Sequence, residues 1–121
     1  MRSPTYGELT FAQIAGKIAS YIMAHGLDRQ YELSVGTDSQ NFDDTKMVRV
    51  VTLHDVGHGG IFFYDVRRMR KIMNVREKLT IETTYSLECA QQLLDAVEVF
   101  QKAFGFDIAK YVHFSIHVDA G

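Results

Sequence analysis

The sequence predicts an α/β domain built on a mixed sheet. Three observations lead there: a capped amphipathic helix near the N-terminus, three strand-like stretches joined by short turns, and a long amphipathic helix followed by one more alternating stretch. A strand that follows a helix commonly rejoins its sheet by a right-handed crossover. The last strand is therefore expected to join the sheet formed by the first three, with the long helix packed across it.

The first helix is predicted over about 10–25. Thr10 and Gln13 make a capping box, in which the threonine hydroxyl accepts from the Gln13 N–H and the glutamine reaches back. Leu9 and Ile14 stand where a hydrophobic staple would stand, and Phe11, Ile14, Ala15, Ile18 and Ile22 recur at helical spacing. Gly26 suits the residue after the helix, since it takes positive φ without a Cβ clash. Tyr31, Leu33 and Val35 then alternate with Glu32, Ser34 and Gly36, a strand that ends in Thr37-Asp38-Ser39-Gln40. Residues 41–46 are polar and read as a turn. Residues 47–56 are rich in valine, which favours a pleated surface. Gly57, Gly59 and Gly60 mark a tight turn before a third strand over 61–66. The long helix is predicted over about 75–104, starting near Asn74 and Glu77 and ending at Gly105. Its buried stripe is expected at Ile81, Tyr85, Cys89, Leu93, Val97, Phe100 and Phe104. A last strand over 111–118 alternates Val112, Phe114, Ile116 and Val118 with His113, Ser115 and His117, and reaches Asp119.

The 121 residues, 46% hydrophobic and 23% charged, amount to a single domain over 1–121 with one core, not two. That balance excludes a disordered tail, and a lone cysteine, Cys89, excludes an internal disulfide and a four-cysteine zinc module. No run of 18 apolar residues would span a membrane, and residues 1–7 lack the start of a signal peptide, so a cytoplasmic protein is expected. The net charge of −2 argues against a purely electrostatic nucleic-acid binder. The basic charge is nevertheless concentrated: Arg67, Arg68, Arg70, Lys71, Arg76 and Lys78 face only Glu77 in the stretch between the third strand and the long helix. This stretch reads either as a solvated connector or as a phosphate-facing patch.

Three acids attract a chemical reading: Asp38 at the end of the first strand, Glu82 in the first turns of the long helix, and Asp119 at the end of the last strand. If the first and last strands are parallel neighbours, about 4.8 Å apart, Asp38 and Asp119 can share a cation, and a helix across the sheet can bring Glu82 to the same end. A carboxylate at the end of an apolar stretch needs a metal ion or donors to compensate it. For either aspartate alone the plain alternative is a strand end turning into a loop, where Asp and Asn are common.

The order of elements and the placing of these acids resemble the ribonuclease-H-like fold, and more narrowly its YkuK-type bacterial family. The matching segments are 31–40 (YELSVGTDSQ), 53–63 (LHDVGHGGIFF), 81–90 (IETTYSLECA) and 116–121 (IHVDAG), and the N-terminal helix, extra to the ribonuclease-H-like sheet, also matches. The resemblance implies a ribonuclease-H-like mixed sheet of three antiparallel strands, a helix and a parallel fourth strand. It implies a divalent-metal-dependent nuclease that hydrolyses phosphodiester bonds with two Mg²⁺ or Mn²⁺ ions. Asp38, Glu82 and Asp119 are then the catalytic and metal-binding acids, with Asp38 the bridging ligand. Ser39, Gln40, Arg67, Arg68, Arg70 and Lys71 would bind the substrate, RNA or an RNA/DNA hybrid among the candidates. His117 and Glu88 are auxiliary candidates, Glu88 lying about 120° around the helix from Glu82. Nucleases of this fold usually carry a fourth carboxylate further on, whereas Gly121 follows almost directly on the third acid. A C-terminally truncated form is therefore expected, with an exposed edge strand that invites a homo-oligomer and with Asp43 and Asp44 in a turn as the remaining acids. The alternative is a catalytically inactive module that binds nucleic acid or protein on the same scaffold; a small-molecule phosphohydrolase is a third reading.

Other features carry less. His113 and His117 share a strand face but stand about 13 Å apart, while His117 and Asp119 are about 7 Å apart along the strand. His54 and His58 flank the glycine turn, yet zinc needs three or four ligands. Cys89 lies on the helix stripe as a packing residue. The glycine turn joins two strands with no helix after it, so it is a hairpin and not a phosphate loop. Tyr64, Met69 and Met73 read as packing.

Overall fold

The computed structural model describes residues 1–118; Asp119 lies outside the described residues. A short N-terminal hairpin, β1 (Arg2–Ser3) and β2 (Gly7–Glu8), precedes helix α1 (Phe11–His25). Three long strands follow, β3 (Tyr31–Asn41), β4 (Thr45–Asp55) and β5 (Gly59–Met69). Helix α2 (Val75–Phe104), a 3₁₀ turn (Ile108–Lys110) and strand β6 (Val112–His117) come next. The sheet order is β2-β1-β5-β4-β3-β6, with β6 parallel to β3 and the other pairs antiparallel. This is the expected mixed sheet, extended by an N-terminal hairpin too short to carry a periodic signal.

Helix starts and stops follow local chemistry. Thr10 and Gln13 form both halves of the capping box, and Gly26 and Gly105 end the two helices at positive φ. Asn74 accepts from the N–H groups of Arg76 and Glu77 at the start of α2. The core lies on one face of the sheet. Ile14, Ile18 and Ile22 of α1 and Cys89, Leu93 and Val97 of α2 pack on Leu33, Val35, Val51, Leu53 and Phe63. The alternate residues of the same strands form an opposite face that no helix covers among the described residues.

Three differences from the sequence reading matter for function. β3 and β4 run through the polar segment predicted as a turn, so only residues 42–44 turn, and Asp38 lies within a strand and not at its end. Strand ladders use backbone groups, so polar side chains do not end them. The segment is also tied down: the Thr45 hydroxyl bonds Asn41 and receives the Ile72 N–H, while Asn41 donates to the Ile72 carbonyl. Likewise β5 takes in Arg67 and Arg68, which the sequence places in the connector. Finally, the buried stripe at the start of α2 is polar, made by Glu82 and Ser86, whereas Phe104 is exposed.

Candidate functional site at the end of β3

β3 is the point at which the sheet changes direction: β4 and β5 lie to one side of it, and β6, reached through α2, lies to the other. The last β3–β6 pair is Gly36–His117, while β3 continues to Asn41. Among the described residues, the β6 side of segment 37–41 is therefore open. In sheets with parallel strands, ligands gather at such a point, outside the carboxyl ends of the strands.

The side chains around this opening come from both faces. Successive strand residues point to opposite sides. Thr37 and Ser39 are buried under α2, and Asp38 and Gln40 are exposed on the other face. The Asn41–Thr45–Ile72 contacts hold the segment before α2 against the β3–β4 turn, and the helix then passes over the end of β3. Glu82, only 5% exposed, accepts a hydrogen bond from the Ser39 hydroxyl, and one turn further on Ser86 donates to Thr37 at 2.8 Å. No cation pairs with Glu82 or with Asp38 among the described residues. The partnership of Ser39 with Glu82 and of Thr37 with Ser86 was not legible in the sequence; an i, i+4 pair of polar residues, Glu82 and Ser86, on an otherwise apolar stripe was the available signal.

The structure thus brings Glu82 and Ser39 together and sets Asp38 on the opposite face of the same strand. The donor chemistry, carboxylates with hydroxyls, suits a hard divalent cation, but no three His, Cys, Asp or Glu side chains among the described residues converge on one ion. His117 is exposed and 3.2 Å from the Ser115 hydroxyl. Glu88 is exposed on α2. Its charge acts on the Arg49 guanidinium, which the hydrogen bond to Asp65 first of all, and Glu88 only to a minor degree, holds above its ordinary value.

The basic residues divide as well. Arg67 projects to the helix side, its guanidinium 5.0 Å from the centre of the Tyr85 ring, while Arg68 projects to the open side and bridges Asp44 at 3.1 Å. Arg70 pairs with Glu77, and Lys71 is exposed. The basic residues of 67–71 thus stand on two faces of β5 and in the loop after it. Because β5 extends, alternation separates neighbours that a loop would have left together.

The family model for ribonuclease H-like proteins matches residues 13–121. The chain belongs to the ribonuclease H-like family. A curated relative, the uncharacterized protein YkuK of Bacillus subtilis, is 33% identical over 90 residues, covering 73% of this chain and 52% of the relative. The chain thus spans about half the length of that relative. No solved structure matches. Among the described residues of this ribonuclease H-like domain, no helix is long and apolar enough to cross a membrane.

Proposed function

We propose that this ribonuclease H-like domain acts on nucleic acid as a divalent-metal-dependent phosphodiester hydrolase, at the opening beside residues 37–41 of β3. The observation that carries the reading is Glu82: a buried carboxylate with a serine hydroxyl for a partner and no ion-pairing cation among the described residues. A buried carboxylate with so few partners is costly unless a cation compensates it. Asp38 borders the same opening from the exposed face. Asp119, the third acid that the resemblance implies, lies outside the described residues. Mg²⁺ or Mn²⁺ bound at this end of β3 would stabilise charge on a phosphodiester and activate water. Ser39 fixes the Glu82 carboxylate, and Gln40, on the exposed face with Asp38, is available to a substrate there.

The second reading is a nucleic-acid-binding module without hydrolysis. It is favoured by the placing of Asp38 and Glu82 on opposite faces. One experiment separates the two. The full chain is incubated with labelled RNA, DNA and hybrid strands in Mn²⁺, Mg²⁺ or EDTA. The hydrolase reading expects metal-dependent cleavage that Asp38→Asn lowers by at least about a hundredfold. Binding that is equal in EDTA, with no cleavage in either metal, establishes the module instead.

A further inference from the structure

We infer that the uncovered face of the sheet is a stacking platform for single-stranded nucleic acid, with Phe62 and Tyr64 taking bases and Lys46 and Arg68 taking phosphates. The inference rests on the nucleic-acid reading above and adds a strand type and a surface to it.

Phe62 and Tyr64 stand two residues apart on β5, on the face away from both helices. Phe62 is 47% exposed, although its neighbour Phe63 is fully buried on the other side. Their rings lie side by side, with centroids 6.3 Å apart and planes tilted by 33°. Val48, Val50 and Val66 continue the apolar surface, Val50 opposite Tyr64 and Val48 opposite Val66, and the Val48 row leads to Asp38. The next row holds Lys46 opposite Arg68. Lys46 has no carboxylate partner among the described residues, and the Arg68–Asp44 bridge is solvent-exposed, so a phosphate can replace the acid at little cost. On the other flank Arg2 stands opposite Tyr64, its nearest carboxylate 4.0 Å away on Glu8. The acids on this face are Glu32 and Asp38 towards β6, with Glu32 3.7 Å from His54, and, beside the cations, Glu8 opposite Arg2 and Asp44 at Arg68. Aromatic rings on an open sheet with cations at the margin suit unstacked bases and an extended backbone; a duplex hides its base faces.

The chain has no tryptophan, so Phe62→Trp places a single reporter on the platform. The full-length variant is titrated in EDTA with unlabelled dT and rU oligonucleotides, and affinities of the parent chain, F62A and Y64A are taken from the anisotropy of labelled strands. The expected result is saturable quenching of the introduced indole by single strands and little by duplex. Each alanine variant is expected to bind roughly five- to a hundredfold more weakly, and Phe62→Leu to behave like F62A because it keeps apolar area but loses the ring. Saturated binding with unchanged indole emission, or alanine variants that bind like the parent, would overturn the platform and leave the nucleic-acid reading standing. No binding of single strands or duplex at low salt would overturn both. Self-association in sedimentation that F62A abolishes would assign the face to a second copy and overturn the inference. Hydrolysis does not enter, since EDTA withholds the divalent ion.

Discussion

The molecule buries two carboxylates on the helix side of its sheet, at opposite ends, and treats them differently. Asp55, at the end of β4, is fully buried. It receives Arg29 at 2.8 Å and the Tyr21 hydroxyl at 3.0 Å on one oxygen, while the other oxygen has no partner. Burial pushes its acidity towards the neutral form, but the hydrogen bonds from Tyr21 and Arg29 and the charges of Arg29 and His58 outweigh it, so the carboxyl sits below its ordinary value. The same contact raises Tyr21, whose phenol is held neutral by burial first and by Asp55 second. Glu82, beside the end of β3, has the Ser39 hydroxyl as its one hydrogen-bond partner among the described residues. The comparison teaches that burial alone does not mark a functional acid. Asp55 already has its countercharge and ties α1, the loop before β3 and β4 together; Glu82 does not have one.

The comparison can be broken most readily at Asp55. Asp55→Asn is expected to cause the largest loss of stability in the domain's polar interior, read as a lower melting temperature, because the amide no longer offsets the Arg29 charge and puts an NH₂ donor in place of one buried carboxylate oxygen. The pH dependence has a definite sign. With the folded value of Asp55 below 3.8, its contribution is complete above the unfolded value and disappears as pH falls through the folded one. Circular dichroism between neutral pH and about pH 2 should show acid unfolding in the parent, with a flatter acid limb in Asp55→Asn. An unchanged limb would mean that Arg29 does not stabilise the ionised form.

A smaller effect tests the hairpin that follows Asp55. Gly60 has φ +149°, and a Cβ there would stand 2.1 Å from the Leu53 carbonyl oxygen. Gly60→Ala is expected to cost about 1–3 kcal/mol in a urea titration. The β3–β4 turn at the other end contains no residue at positive φ, so alanine at Asp43 should leave stability within about 0.5 kcal/mol. Equal costs at the two turns would remove this part of the contrast.

The smallest change in stability is expected at Glu82, and it sharpens the comparison by its sign. Glu82→Gln keeps an acceptor for Ser39 and removes an uncompensated buried charge. Without metal its melting temperature should equal or exceed that of the parent, while the stabilisation of the parent by Mn²⁺ should shrink in the variant. A variant destabilised as much as Asp55→Asn would make Glu82 a structural acid like Asp55.

Local chemistry left clear marks in the chain. The helix bounds were legible because a capping threonine, a capping asparagine and two glycines act within a few residues of themselves. The three antiparallel strands and the parallel return of the last one were legible from alternation and element order. The burial of Cys89, whose thiol is pushed up to about 11 by burial, was legible from helical spacing. Asp38 and Glu82 were both identifiable as acids at the same end of the sheet.

What the sequence by itself determined, then, is the succession of elements and the residues that begin and end the helices, since those depend on neighbours in the chain. Only the tertiary structure decided how far β3, β4 and β5 extend, and with that the face on which Asp38, Ser39, Arg67 and Arg68 stand. Strand length is settled by backbone pairing with distant segments, and each added residue reverses the side to which the next one points. The same holds for Glu82: its burial against Ser39 depends on where α2 crosses the sheet, which Asn41, Thr45 and Ile72 fix from a distance.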